Sequence, residues 1–207
     1  MEETVIAIID PEGVLTETDM CRFRAWEQMA REQGILYDRN MDAQLRLLDR
    51  KGHLQGVLSR AHRAYSAAEC MALLTRQGDL YDELLQKLGD DGLRPGAKRM
   101  LQGLISHHCK LAAVMTDGLP GRILCHMSIG RLFDAVSRRE RLEDQLTDVQ
   151  QKLLADTTDC LLVTTHPESA KTARKIGMCA LLCAHTEKLE TVLRQILDMM
   201  PEEAADK

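Results

Sequence analysis

Two acidic residues lie two positions apart directly after the first apolar run of the chain. Asp10 follows residues 5–9, and Glu12 comes after Pro11 and just before Gly13. A carboxylate at the end of a buried strand can attack a phosphorus atom when a cation offsets the charge repulsion. A second acid two residues later can protonate the leaving oxygen and then activate a nucleophile. Taken alone, the segment favours a plain strand followed by a polar Pro-Glu-Gly turn.

Polar residues also follow two later apolar runs. Thr116 and Asp117 follow residues 110–115, and Thr164 and Thr165 end the run that begins at Cys160. Because the carboxyl ends of parallel strands meet at one edge of a sheet, we expect these side chains to lie near Asp10.

The elements that would position these residues are short strands separated by helices. The apolar runs lack alternation, as strands covered on both faces should. We predict an α/β fold with a doubly wound, Rossmann-like parallel sheet. The predicted strands are 4–9, 110–115, 160–164 and 178–183, and the predicted helices that precede or separate the last three are about 96–107, 120–130, 145–156 and 167–176.

Residues 17–92 interrupt this alternation with consecutive helical patterns. The predicted helices there are about 19–33, 40–48, 52–63, 66–77 and 79–88. A helical insertion between the first two strands predicts a cap domain. We therefore assign residues 1–16 and 93–207 to a core domain and residues 17–92 to the cap.

Composition and charge do not indicate a protein that binds nucleic acid or a membrane. The chain has 207 residues, 44% hydrophobic and 29% charged, with a net charge of −5. No basic stripe that would neutralise nucleic-acid phosphates is evident. No apolar stretch approaches the length of a membrane span, and acids stand where a signal peptide carries lysines. With seven cysteines and no short paired spacing, we expect a reducing, cytoplasmic location.

Several segments resemble the haloacid-dehalogenase (HAD) superfamily, and within it the β-phosphoglucomutases. Residues 8–18 are similar to the first HAD motif, Asp-x-Asp-Gly-Val/Ile-x-x-Asp-Thr, with Glu12 and Glu17 in place of two aspartates. Further similar segments are Phe23–Trp26 with Ala30–Ile35, Gln44–Gln55, Arg94–Gly96 and Phe133–Ala135. The resemblance spans almost the whole chain.

The resemblance implies a role for each residue of the first motif. Asp10 would be the nucleophile and a ligand of Mg²⁺, and Glu12 would be the general acid/base, with its backbone carbonyl on the metal. Gly13 would let the backbone approach the phosphoryl group. Glutamate is one methylene longer than aspartate, and a misplacement of about 1 Å can cost on the order of 100-fold in rate. In the cap, Arg50 stands where the mutases contact the distal phosphate.

The second and third motifs of the family are altered. The second motif needs a hydroxyl after the second strand, where Met115 is aligned and Thr116 lies one residue later. The third needs a lysine, and Asp144 stands at that position. Replacing a positive by a negative charge beside a phosphoryl group is costly unless another cation substitutes. The arginines nearby in sequence are Arg138, Arg139 and Arg141.

The fourth motif, which supplies the metal-binding acids, is also altered. Thr164 and Thr165 stand where the family has one or two acids after the next strand. Because Mg²⁺ prefers carboxylate oxygens, the resemblance leaves Glu168, a few residues further on, as a candidate ligand.

Three functions remain compatible with the sequence. The first is a Mg²⁺-dependent phosphatase or phosphomutase that acts on small sugar phosphates through an aspartyl-phosphate, with impaired catalysis. The second is a non-catalytic protein that binds a phosphorylated metabolite or a protein partner. The third is a structural protein whose cleft is blocked by side chains such as Met115. The sequence leaves open whether the chain is an enzyme.

Overall fold

The computed structural model describes residues 5–46, 48–115, 120–139 and 141–199. The chain divides into two compact units: a core unit, Met1–Thr16 with Leu93–Lys207, and a helical unit, Glu17–Gly92. Within the described ranges, no helix is long and apolar enough to cross a membrane.

The described residues of the core unit form a five-stranded sheet in which all strand pairs are parallel. Its order is β3-β2-β1-β4-β5, so that β1 is the central strand. The strands are β1 Ile6–Ile9, β2 Lys110–Ala113, β3 Ala135–Val136, β4 Cys160–Thr164 and β5 Cys179–Leu182. This confirms the predicted α/β class with a parallel sheet.

Helices and turns of the core unit connect these strands. The helices are α1 Pro11–Val14, α6 Ala97–Ser106, α7 Pro120–Cys125, α8 Leu142–Leu153, α9 Pro167–Lys175 and α10 Leu189–Asp198. β1 is buried along its whole length, since its residues pack into a core with β2, β4, α8 and α9. Burial on both sides explains the continuous apolar run of its sequence.

The helical unit contains α2 Asp19–Glu32, α3 Arg39–Leu45, α4 Arg50–Leu58 and α5 Ala67–Leu88. The predicted break between two helices near residue 78 is wrong, because α5 is one continuous helix. A complete capping box between Ser66 and Glu69 starts it. Gly78 is buried inside it, and its lack of a side chain is compatible with close packing.

A buried polar network lies inside the helical unit. The Tyr37 hydroxyl lies 2.7 Å from Asp42 Oδ1 and 2.9 Å from His53 Nε2. The indole of Trp26 stacks on the His53 ring, with centroids 4.1 Å apart. Arg22 lies 3.4 Å from Asp42 Oδ1, so the buried carboxylate has a buried cation beside it. Mutual hydrogen bonding offsets the cost of burying these polar groups.

Candidate active site

Asp10 lies at the carboxyl end of the central strand. Its backbone N–H donates to the carbonyl of Val163 on β4, at 3.0 Å, and its side chain is only 2% exposed. The neighbouring strands β2 and β4 end at the same level, since Ile9 pairs with Ala113 and Val163. The carboxylate therefore stands at the edge of the sheet where such folds bind ligands.

A tight loop follows Asp10 and fixes the backbone that carries Glu12. The Pro11 carbonyl accepts hydrogen bonds from the N–H groups of Leu15 and Thr16 and from the Thr16 hydroxyl, at 2.9–3.0 Å. The segment Pro11–Val14 is not a regular helix, because Glu12 is extended (φ −72°, ψ 126°). Glu12 is half-buried. The loop thus holds Glu12 two residues from Asp10 in a conformation set by backbone bonds.

Gly13 is required by this loop for two reasons. Its φ is +82°, a conformation that side-chain-bearing residues rarely adopt. A Cβ at this position would lie 2.5 Å from the hydroxyl oxygen of Thr165. The loop and the end of β4 therefore approach each other as closely as a glycine permits.

The side chain of Arg94 binds the backbone of the same loop. This role of Arg94 was not predicted from the sequence. Its guanidinium is buried and donates to the carbonyls of Gly13 (2.8 Å), Val14 (2.9 Å) and Glu187 (2.6 Å). The ring Nδ1 of His185 lies 3.2 Å from the same Gly13 carbonyl. The segment Arg94–Gly96 is one of those that resemble the family, and this resemblance is the sequence signal that could have indicated a role for Arg94.

Threonine hydroxyls face Asp10 from the end of β4. Thr164 is fully buried, and its hydroxyl lies 3.4 Å from Asp10 Oδ2, to which it donates. The Thr164 hydroxyl oxygen accepts a hydrogen bond from the His166 N–H at 3.1 Å. Together with the contact between Thr165 and Gly13, this places two neutral hydroxyls beside the Asp10 loop.

No protein-family model matches the chain. β-Phosphoglucomutase from Bacillus subtilis (strain 168) is 30% identical to it over 131 residues, covering 62% of this chain and 58% of that protein. The match thus spans less than two thirds of that relative's length.

Solved structures match over nearly the full chain. β-Phosphoglucomutase from Clostridium difficile has a TM-score of 0.77 at 16% identity, covering 94% of this chain and 98% of that chain. A CbbY variant from Rhodobacter sphaeroides, in complex with xylulose-(1,5)bisphosphate, has a TM-score of 0.71 at 16% identity, covering 90% and 91%.

The chain therefore has the same fold as these β-phosphoglucomutase and CbbY structures.

The position of the second HAD motif is locked by a glutamine. The Met115 N–H donates to Gln145 Oε1 and the Gln145 amide donates to the Met115 carbonyl, both at 2.8 Å. Gln145 is fully buried on α8 and Met115 is 4% exposed. A single side chain therefore fixes the backbone at the end of β2. Thr116, predicted to bind the phosphoryl group, lies outside the described residues.

At the position of the HAD lysine, the structure provides no cation among the residues it describes. Asp144 is exposed, while its neighbour Gln145 points inward and is neutral. Arg138, Arg139 and Arg141 are exposed. Arg139 lies 4.0 Å from Asp148, and Arg141 lies 3.8 Å from Glu143. These contacts do not support an arginine as the replacement for the lysine.

Two further predicted residues make contacts within their own units. Glu168 is in the first turn of α9, with its side chain 72% exposed and 2.6 Å from Lys171. Its assignment as a metal ligand stays a prediction that this ion pair does not support. In the helical unit, Arg50 donates to the Leu74 carbonyl (2.9 Å) and to Gln77 (2.8 Å). Its predicted contact with a distal phosphate stays a prediction.

The Mg²⁺ that the HAD fold implies does not fit the donors found beside Asp10. Within the described residues, no group of three or more His, Cys, Asp or Glu side chains could hold a metal ion. The end of β4 presents Thr164 and Thr165 hydroxyls instead of acids, and a hard cation such as Mg²⁺ prefers charged oxygens. Asp10 therefore lacks the acidic neighbours on β4 that the resemblance implies.

The buried thiol next to this site is not a nucleophile. Cys183 donates to the Thr164 carbonyl, with Sγ 3.6 Å from the oxygen. Burial, followed by the nearby Glu187 carboxylate, raises the pKa of the Cys183 thiol to about 11. At neutral pH the group is a neutral thiol, and the thiolate is the reactive form.

Proposed function

We propose that the chain binds small sugar phosphates at the Asp10 edge of the core sheet and transfers their phosphoryl group slowly. Asp10 is the nucleophile, Glu12 the general acid/base, and the helical unit the cap of a HAD-type protein. The observation that carries the proposal is the buried Asp10 carboxylate at the end of the central strand, on a loop fixed by Pro11 and Gly13. The similarity to β-phosphoglucomutases supports the class of substrate.

The proposed step uses the two carboxyl groups in sequence. The Asp10 carboxylate forms a bond to phosphorus as the bond from phosphorus to the leaving oxygen breaks, and protonated Glu12 gives its proton to that oxygen. Glu12 then takes a proton from the water or sugar hydroxyl that displaces Asp10. The products are free phosphate or the transferred phosphate ester, and Asp10 returns to its starting form.

A low rate follows from the charges around Asp10. Two negative charges about 4 Å apart repel by about 4 kcal/mol in a typical protein environment. At the position of the lysine that would offset this repulsion stand an exposed Asp144 and a neutral Gln145 that is hydrogen-bonded to the Met115 backbone. The alternative function, binding of a phosphorylated metabolite or a protein partner without turnover, is favoured by the same observation.

The decisive assay compares wild type with Asp10→Asn. Phosphate release from an aryl phosphate and interconversion of β-glucose 1-phosphate are measured with and without added Mg²⁺. We expect a low wild-type rate that Asp10→Asn abolishes, since an amide is not a nucleophile for phosphorus.

Asp198→Asn is the matched control, because Asp198 is an exposed acid at the end of α10 in the same unit. It should keep the wild-type rate. Equal background rates for wild type and both variants, each shown to be folded, would overturn phosphoryl transfer. Thermal stabilisation by sugar phosphates without turnover would then establish the alternative.

A further inference from the structure

We propose that the countercharge of Asp10 in this chain is the guanidinium of Arg94, and that the site holds no divalent cation of its own. This inference rests on the proposed phosphoryl site at Asp10 and deepens it. It states which group balances the negative charge of Asp10, because the oxygen donors present do not fit the Mg²⁺ that the fold family implies.

The balance of buried charge is the first observation. Among the described residues of the core unit, Asp10 is the one buried carboxylate (2% exposed) and Arg94 the one buried guanidinium (7% exposed). Buried charges persist in proteins when an opposite charge or strong hydrogen bonds accompany them. One negative and one positive group satisfy this condition without a metal ion.

The position of Arg94 is the second observation. Its NH1 group donates to the carbonyls of Gly13 and Val14, which belong to the loop that starts at Asp10. The guanidinium of Arg94 therefore lies against the backbone of the same short loop that begins with the Asp10 carboxylate.

The hydroxyls at the end of β4 are the third observation. The Thr164 hydroxyl donates a hydrogen bond to Asp10 and accepts one from the His166 N–H, and it is a neutral oxygen. The Thr165 hydroxyl fills the space against Gly13, where a Cβ would come within 2.5 Å. A divalent cation beside Asp10 would therefore meet the neutral hydroxyl oxygens of Thr164 and Thr165 at the end of β4. The positive charge of Arg94, which contacts the same loop, would repel it.

The direct test titrates MgCl₂ into the full chain without substrate, at constant ionic strength, and reads the heat of binding and the melting temperature. Wild type should show no saturable binding. Thr165→Asp introduces a carboxylate beside Gly13, and we expect it to bind Mg²⁺ at least about tenfold more tightly than wild type. Thr165→Asn, nearly equal in shape but uncharged, should behave as wild type.

Saturable Mg²⁺ binding by wild type that Asp10→Asn removes would overturn the proposal. So would binding that is lost in Asp117→Asn, a variant included because Asp117 lies outside the described residues. The titration contains no substrate, so its result is independent of turnover. A chain that binds Mg²⁺ and is active contradicts this inference alone, and a chain that neither binds Mg²⁺ nor turns over contradicts only the proposed transfer.

A double-mutant cycle tests the countercharge itself. Arg94→Met loses the hydrogen bonds to the loop carbonyls in any background, so that structural loss cancels in the cycle. If Arg94 balances Asp10, the drop in melting temperature caused by Arg94→Met should be smaller by roughly half in the Asp10→Asn background. Arg94→Lys should recover part of the loss in the presence of Asp10. Equal drops in both backgrounds would contradict the assignment.

Discussion

At the scale of single residues, the site depends on how closely its parts approach one another. Gly13 and Thr165 come together because the Asp10 loop turns back against the end of β4, leaving no room for a Cβ. The Arg94 guanidinium also donates hydrogen bonds to two carbonyls of this loop. The loop is therefore held from both sides, and its glycine is a structural requirement.

Gly13→Ala tests this requirement. The substitution forces a Cβ into the Thr165 hydroxyl and also adds strain at a φ of +82°. We expect the free energy of unfolding to fall by about 2–4 kcal/mol, measured by denaturant unfolding.

Gly96→Ala provides the comparison within the same unit. Gly96 has a similar φ of +90°, but a Cβ there would be in ordinary contact, 3.7 Å from Leu189. It therefore shares the backbone strain without the collision and should lose only about 1–2 kcal/mol. An equal loss for the two variants would show that the contact with Thr165 is not tight.

At the scale of elements, the apolar pattern located most of the strands and helices. It missed β3, since a strand of only Ala135 and Val136 is too short to have a period. It also broke α5 at Gly78, because glycine is unfavourable in an isolated helix, whereas tertiary packing overrides that preference here. The predicted ranges also omit α1 and α10, and the other elements differ by shifts of a few residues at their ends.

The end of α8 carries an unusual residue. Leu154 has a left-handed backbone (φ 55°, ψ 43°) and is 94% exposed. Glycine is the preferred residue at such a helix end, since it pays no Cβ penalty there. Leu154→Gly should therefore stabilise the chain by about 0.5–1 kcal/mol in denaturant unfolding. Leu154→Ala keeps the Cβ and should remain near wild type, and stabilisation of similar size by alanine would contradict the explanation.

At the scale of the whole molecule, the chain consists of two units with different buried polar interiors. Unfolding of such a chain need not be a single transition, so stability is best followed unit by unit. The helical unit contains His53, which is 3% exposed. Burial, followed by the charge of Arg22, lowers the pKa of the His53 imidazole to about 4, while Asp42 partly opposes this shift.

The pH dependence of the helical unit follows from this shift. Between pH about 6.5 and about 4 the unfolded chain binds a proton at His53 that the folded chain does not, so stability is lost as pH falls. The His53 contribution is complete above pH about 6.5 and amounts to at most about 3 kcal/mol. Amide hydrogen exchange should show the helical unit opening more readily over this range.

His53→Gln provides the reference for this prediction. The variant has no titratable group at position 53, so its helical unit should show a weaker dependence on pH over the same range. Its absolute stability is lower because glutamine does not reproduce the stacking on Trp26. Identical pH slopes for wild type and variant would exclude His53 as the source.

The sequence by itself determined the class of fold and the place of Asp10. A buried parallel strand needs a continuous apolar run, and the residue that follows such a run must lie at the ligand-binding edge of the sheet. Local patterns also predicted a helical insertion and drew attention to the threonines at the end of β4.

Only the tertiary structure decided what surrounds Asp10. Arg94 and Gln145 come from segments 84 and 135 residues away along the chain, and no local period indicates that one would hold the Asp10 loop and the other the end of β2. Side-chain direction and long-range hydrogen bonds are fixed by packing, and packing appears only when distant segments meet.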